Sequence, residues 1–153
     1  MNDTVYIGNA ARSTSDTVKI FASIFSPDTV PPTIVNITLD LGLDMLIVLI
    51  DEPMKLTGID MTAFHLQSAT SSPGSLRRLT SISTVTVRGH SLTINFGSAD
   101  QSYIQLQSSL ANSIVSSYIA VFYHAATDIS GNYLTSISSS SARQVDAYIL
   151  SRY

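Results

Sequence analysis

The sequence has no cysteine and no tryptophan, and it contains a single glutamate, Glu52, and two lysines, Lys19 and Lys55. Without cysteine the chain forms no disulfide, no zinc–thiolate site and no catalytic thiol. Only 12% of its residues are charged, which is about half of the fraction in an average soluble domain. So few charges favour a member of a packed assembly over an isolated monomer.

The sequence also lacks the features needed to bind nucleic acid or to insert into a membrane. The formal net charge is −3 and the arginines are scattered, so there is no basic stripe for nucleic acid. The longest apolar run, Met45–Ile50, is too short to cross a bilayer. We therefore expect neither nucleic-acid binding nor membrane insertion.

No catalytic constellation is visible either. The chain lacks a Gly-x-Ser-x-Gly elbow, and a single glutamate cannot supply a pair of catalytic glutamates. His65, His90 and His124 do not have the spacing of metal ligands, so ordinary surface or edge histidines are favoured over a metal site. The sequence predicts a protein that is not an enzyme.

Strand-forming residues are abundant, with 16 isoleucines, 10 valines and 15 threonines in 153 residues. A chain of this length forms one domain with a real hydrophobic core. Apolar–polar alternation between turn signals predicts an all-β sandwich of about seven short strands. These strands are expected at residues 34–40, 45–50, 63–67, 82–88, 92–96, 118–124 and 145–150, with an extra N-terminal strand at residues 18–25.

Three segments have more particular patterns. Met45–Ile50 is apolar on both faces, which predicts a central strand. Residues 70–81 are serine-rich and predict a loop. Residues 99–110 place Tyr103, Leu106 and Leu110 at helical spacing, which predicts one short helical segment.

The two ends of the chain resemble each other. Residues 3–24 and residues 128–149 both contain an Asp, a Gly-Asn pair, a Ser/Thr stretch and an apolar strand, offset by about 123–125 residues. Such spacing is typical of domain arrays in which the last strand of one unit leads into the next. We therefore expect an N-terminal strand or extension at residues 1–27, followed by one domain at residues 28–153.

Three motifs together resemble a known family. Residues 28–33 read Asp-Thr-Val-Pro-Pro-Thr and open the unit. Residues 51–54 read Asp-Glu-Pro-Met, where the family has a Ser-Glu-Pro-Val type turn, and residues 128–132 match its Asp-x-x-Gly-Asn turn. The order and spacing are similar to those of bacterial Ig-like repeats of the S-layer and adhesin type, over roughly residues 28–150.

The resemblance implies an Ig-like Greek-key β-sandwich, a structural role on the cell exterior, and no catalytic residues. The sequence departs from the family in its long serine-rich loop and its short helical segment. Function is therefore expected to be structural, in an extracellular filament or cell-surface array. The alternative is a carbohydrate- or matrix-binding adhesin module, which a patch of exposed aromatics would favour; the seven tyrosines are spread along the sequence, which weighs against it.

The N-terminal strand is the expected assembly element. Pro31 and Pro32 follow it and stiffen the connector, which hinders its return to its own domain. Either it is the last strand of a preceding tandem unit, or it adds to the sheet of another copy, which is our preferred interpretation. Each large buried side chain would contribute about 1.5–3 kcal/mol before entropy is charged. The assembly residues are Val18, Ile20, Ala22 and Ile24 on one face, with Phe21 and Phe25 on the other.

Oxygen-bearing side chains occur in the connectors expected at the ends of the sandwich, namely Asp28, Asp51, Glu52, Asp128 and Asn132. Such loops can bind calcium. The alternative is turn chemistry, in which Asp and Asn accept hydrogen bonds from their own backbone. No other cofactor is expected.

Two glycosylation sequons begin at Asn2 and Asn36. Alternation along the strand places Asn36 on the face opposite Val35, Ile37 and Leu39, so we expect Asn36 to face solvent and to be available for a glycan. The expected partners are thus further copies of the chain, joined head to tail, and glycans.

Overall fold

The computed structural model describes residues 26–81 and 83–150. Within these residues the protein is mostly β, with nine strands in two sheets and one α-helix. The strands are β1 (Ile34–Asp40), β2 (Met45–Ile50), β3 (Phe64–Gln67), β4 (Leu76–Arg78), β5 (Thr84–Arg88), β6 (Ser91–Asn95), β7 (Tyr118–Val121), β8 (Arg143–Gln144) and β9 (Ala147–Ile149), and the helix is α1 (Ser98–Leu106). The predicted assembly strand, at residues 18–25, lies outside the described residues.

The first sheet has five strands in the order β5-β6-β2-β1-β9. Its neighbours are antiparallel except β1 and β9, which run parallel. The prediction that Met45–Ile50 is a central strand is confirmed, since β2 lies between β6 and β1. The strands predicted at residues 82–88 and 92–96 are present as β5 and β6, which form a hairpin whose turn contains Gly89 with a positive φ of 59°.

The second sheet has four antiparallel strands in the order β4-β3-β7-β8. β4 lies inside the segment that was expected to be only a loop, so that expectation is wrong at residues 76–78. Three residues are too few to show alternation, and β4 forms because its backbone pairs with β3. Short strands of this kind raise the count from the predicted seven to nine.

One hydrophobic core is shared by the two sheets. Its central side chains have at most 2% of their surface exposed. Residues from β1, β2 and β6 contact residues from β3 and β7 in a single cluster, which stabilises the fold by removing apolar area from water. These residues are Ile37, Leu39, Leu46, Val48, Leu92, Ile94, Phe64, Leu66, Ile119 and Val121.

Two sequence expectations about side-chain direction are wrong. Val35 is 50% exposed, because pairing with β2 shifts register between Ile34 and Asn36, and an irregularity of one residue exchanges the two faces of a strand. In α1, Leu106 is 82% exposed and Ile104 is buried instead. The helix is only nine residues long, so its apolar spacing was too short to define a face.

Asp100 anchors α1 to the chain that precedes β5. Its side chain has no exposed surface, and its carboxylate accepts hydrogen bonds from Arg77 Nε at 2.6 Å, Thr80 N at 2.9 Å and Ser83 Oγ at 2.8 Å. Burial raises the pKa of Asp100, but the hydrogen bonds outweigh burial and hold the pKa below its usual range.

Candidate functional site

The parallel pairing of β1 and β9 separates the two ends of the described chain. Thr38, Leu39 and Asp40 align with Ala147, Tyr148 and Ile149 in the same direction. The seven residues of β1 span about 20 Å. Residue 33 therefore lies at one end of the first sheet, the N-terminal pole, and residue 150 lies at the other, the C-terminal pole.

Three sequence motifs converge at the N-terminal pole. The turn after β2 and the turn at residues 128–132 are joined by a bridge between Met54 and Asp128 and by a hydrogen bond from Ile129 N to Pro53 O. The Asn132 side-chain amide donates to the Asp28 carbonyl at 3.2 Å, which ties the connector to the same turn. The convergence brings one carboxylate oxygen each of Asp28, Glu52 and Asp128 within 4.8 Å of one another.

Asp128 organises its own turn. Its Oδ1 accepts hydrogen bonds from the backbone N–H groups of Ser130, Gly131 and Asn132 at 2.8, 2.6 and 2.8 Å, and its Oδ2 accepts from Asn132 Nδ2 at 2.8 Å. Burial raises the pKa of Asp128, but these hydrogen bonds prevail and lower the pKa below its usual range. Asp128 is thus held as a carboxylate, as turn chemistry requires.

Glu52 lies in a less favourable environment. Burial, followed by the negative charges of Asp28, Asp128 and Asp51, raises the pKa of Glu52 above its usual value. The two ion pairs within the described residues, Arg77–Asp100 and Arg143–Asp146, lie elsewhere. The cluster therefore concentrates negative charge without a basic partner in an ion pair.

Asp51 has a different role. Its two carboxylate oxygens accept hydrogen bonds from Thr33 N at 2.7 Å and Thr33 Oγ1 at 2.5 Å. These bonds lower the pKa of Asp51. Asp51 therefore fixes the connector to the end of β2, just before β1 begins.

The cluster fits a calcium ion in part. Calcium takes six to eight oxygen ligands at about 2.4 Å, so two of its ligands lie up to about 4.8 Å apart. Asp28, Glu52 and Asp128 meet this limit. Asp51 is engaged by Thr33, and Asn132 presents its amide nitrogen to the cluster. Three of the five predicted ligands are brought together, and calcium binding stays a prediction.

β5 forms an edge of the first sheet, and no other described strand pairs with its free side. Arg88 and Ser91 flank the two-residue turn between β5 and β6, so they form a hydrogen-bonded pair. Along an antiparallel pair of strands, hydrogen-bonded and non-hydrogen-bonded residue pairs alternate, so Val87 and Val85 belong to non-hydrogen-bonded pairs. Val85 and Val87 consequently point their backbone N–H and C=O groups away from β6. Their side chains are half-buried against the core.

The predicted glycosylation residues have separate outcomes. Asn36 is half-buried on β1 and its Oδ1 accepts a hydrogen bond from Thr38 Oγ1 at 3.3 Å. The expectation that it faces solvent therefore holds only in part. Asn2 lies outside the described residues.

An exposed aromatic surface follows β7, and the spread of tyrosines along the sequence gave no sign of it. Tyr123 contacts His124 and Tyr133, with ring centroids 3.8 and 5.1 Å apart, and His124 contacts Tyr133 at 4.1 Å. Tyr133 returns to this position because the turn at residues 128–132 pairs it with Thr127. The signal that sequence reasoning missed is the aromatic run Phe122-Tyr123-His124.

A cavity of about 300 Å³ adjoins this surface on the outer side of the second sheet. Phe122 packs against His65 with ring centroids 4.4 Å apart. Asp60, Thr62 and Arg78 provide polar groups on the same lining. Burial lowers the pKa of His65, helped by the nearby charge of Arg78 and opposed by a hydrogen bond with Thr62, so the imidazole is neutral at pH 7.

Comparison with known proteins finds no matching family model, no similar curated protein and no similar solved structure. In the described residues no helix has the length and apolar character needed to span a membrane.

Proposed function

We propose that the protein is a structural subunit of an extracellular filament or cell-surface array, built as an Ig-like Greek-key sandwich and joined head to tail. The observation that carries the proposal is the parallel pairing of β1 with β9. It places the connector and the last described strand at opposite poles, so the segment that would link copies leaves the domain from the N-terminal pole only. A protein whose ends meet at one pole would be a poorer spacer.

The N-terminal strand at residues 18–25 is proposed to join neighbouring copies by pairing with β5. β5 is five residues long, contains no proline or lysine, and has a free side in the described structure. Long unprotected edges of this kind favour pairing with another strand. An added strand would bond to the outward backbone groups of Val85 and Val87 and cover their half-buried side chains.

The acidic cluster at the N-terminal pole is proposed to set the direction of the connector. The connector is already fixed to the domain by Asp51 with Thr33 and by Asn132 with the Asp28 carbonyl. A calcium ion bound by Asp28, Glu52 and Asp128 would neutralise their charges and stiffen the same joint. Assembly through the strand does not require the ion.

Negative-stain electron microscopy of the full chain tests the proposal. The full chain should form filaments, and deletion of residues 1–26 should give a soluble monomer with none. Filaments that survive the deletion would refute assembly through the N-terminal strand.

A second test changes only the acceptor edge. Val85→Pro removes one outward N–H group, at an edge position where proline is tolerated, and should abolish filaments while the fold remains. Val85→Thr retains the N–H group and the β-branched shape, so it serves as the matched control and should still assemble. Equal assembly by both variants would exclude β5 as the acceptor.

The second candidate function is a carbohydrate- or matrix-binding adhesin module. The exposed cluster of Tyr123, His124 and Tyr133 favours it, because aromatic rings with polar neighbours are typical of binding surfaces. Binding and assembly are compatible, because the aromatic surface belongs to the second sheet and β5 belongs to the first.

A further inference from the structure

We propose that the aromatic cavity, formed by Asp60, Thr62, His65, Arg78, Phe122 and Tyr123, binds a neutral pyranose ring of an extended glycan. The inference deepens the second candidate function and is independent of head-to-tail assembly.

The rings provide an apolar platform. Phe122 and Tyr123 are 43% and 63% exposed, although both are large aromatic side chains in consecutive positions. Phe122 is supported from one side by His65, and Tyr123 by His124 and Tyr133. A pyranose has an apolar face of C–H groups that stacks on such rings, while its hydroxyls remain at the edge.

The polar side chains of Asp60, Thr62 and Arg78 lie beside the rings and are fixed by hydrogen bonds to one another. The Thr62 hydroxyl donates to Asp60 Oδ1 at 2.6 Å and accepts from Arg78 Nη2 at 2.9 Å, and Arg78 Nε donates to the Thr62 carbonyl at 2.9 Å. Within the described residues, Arg78 Nη1 and Asp60 Oδ2 have no hydrogen-bond partner. Free N–H donors on Arg78 and a free carboxylate oxygen on Asp60, both side chains being fixed through Thr62, suit a sugar hydroxyl, which both donates and accepts.

The charge of the cavity favours a neutral ligand. The positive charge of Arg78 is balanced by the negative charge of Asp60, and His65 adds none at pH 7. A volume of about 300 Å³ is at the lower end of ligand sites, which span about 300–1,000 Å³. The cavity therefore suits one or two neutral sugar units rather than a sulfated or sialylated chain.

The backbone beside the cavity is strained. His124 has a positive φ of 71° although it is not glycine. Such conformations are energetically unfavourable and cluster at functional sites. Here the left-handed residue lies in the turn that contains Tyr123.

Binding is tested on the full chain with neutral hexasaccharides of glucose, mannose and N-acetylglucosamine, and with a sulfated and a sialylated oligosaccharide for comparison. A glycan array identifies the sugar, and isothermal titration calorimetry measures its affinity. At least one neutral sugar should bind, and the charged ones should bind at least tenfold more weakly. Tyr123→Ala should weaken binding at least tenfold, and Tyr123→Phe should restore much of the loss because it retains the ring.

Two further variants distinguish binding at the aromatic cavity from nonspecific binding to exposed apolar side chains. Arg78→Ala should weaken binding at least fivefold. Leu106→Ala removes a large apolar side chain that is 82% exposed on α1, and it should leave binding unchanged. Thermal melting confirms that each variant folds. The proposal is overturned if no neutral sugar binds, if the charged oligosaccharides bind better, or if Tyr123→Ala binds as well as the unaltered chain.

Discussion

Replacing Asp128 by alanine tests how the N-terminal pole is constructed. Asp128 has no exposed surface, and its Oδ1 accepts three backbone hydrogen bonds from residues 130–132. Alanine removes the one acceptor of all three backbone hydrogen bonds, together with the bond from the Asn132 side-chain amide. The turn at residues 128–132 then loses the hydrogen bonds that order it, and the Asn132 side chain that binds the Asp28 carbonyl is no longer held in place.

The size of the stability loss in Asp128→Ala depends on how exposed the backbone N–H donors of residues 130–132 are. Hydrogen bonds to a charged group are worth about 1.5–3 kcal/mol each. Ser130 and Gly131 are exposed, so water can replace part of what Asp128→Ala removes. Taking about 1 kcal/mol for each backbone bond gives a loss of about 3 kcal/mol, which lowers the melting temperature of a domain of this size by about 10 °C.

Asp128→Asn is the matched control. Its amide oxygen can still accept the three backbone bonds, while its amide nitrogen faces the donor of Asn132 that lies 2.8 Å from Asp128 Oδ2. The expected loss is about 1 kcal/mol. Urea unfolding in a calcium-free buffer measures both variants. Equal losses for the two variants, or a loss below about 1 kcal/mol for alanine, would refute the account of Asp128 as a turn acceptor.

The pH dependence of stability provides an independent check on the direction of the Asp128 pKa shift. The folded-state pKa of Asp128 is lowered, so its stabilising effect is present above the usual Asp range and disappears as pH falls through the folded-state pKa. The stability difference between the unaltered chain and Asp128→Ala should therefore be constant near neutral pH and narrow in strong acid. A difference that grew on acidification would contradict the lowered pKa.

Three further predictions concern other residues. Glu52→Gln should raise the melting temperature of the calcium-free protein at pH 7, because the raised pKa of Glu52 makes its charged form unfavourable. It should also abolish stabilisation by calcium, which for the unaltered chain would amount to about 2.7 kcal/mol of unfolding free energy at a hundredfold excess over Kd. Asp100→Ala should cost about 3 kcal/mol in urea unfolding, because it leaves Arg77 without its buried partner, and a loss below about 1 kcal/mol would contradict this anchor. Asn36 should add a glycan to the intact mass in a host with the machinery, and an unshifted mass after glycosidase treatment would exclude it.

Local patterns were sufficient to predict the long strands. β1, β5 and β6 each have five or more residues, so their period of two is visible, whereas β2 is a continuous apolar run of six residues. Turn residues mark the ends of all four. β4 and β8 are three and two residues long. They depend on backbone pairing with strands distant in sequence, which a local pattern cannot show.

The acidic cluster and the aromatic surface also differ in how far the sequence alone could predict them. The oxygen-bearing residues of the connectors were visible in the sequence as possible calcium ligands, and the structure brings Asp28, Glu52 and Asp128 together. The aromatic surface needs Tyr133 to return beside Tyr123, and it does so only through the pairing of Thr127 with Tyr133. Proximity across a turn is a tertiary property, so counting tyrosines along the sequence gave the wrong expectation.

Assembly and glycan binding reinforce each other if both proposals hold. Strand addition at β5 uses the first sheet, and the aromatic cavity lies on the second, so a filament would display one cavity per copy. Repetition raises the apparent affinity for a polymer about 10²–10⁴-fold without any new contact. Filaments of Val85→Thr should therefore retain a long neutral glycan far more tightly than monomers of Val85→Pro, while both bind a short oligosaccharide equally. Equal retention of the long glycan would mean that the cavities of neighbouring copies cannot engage one chain together.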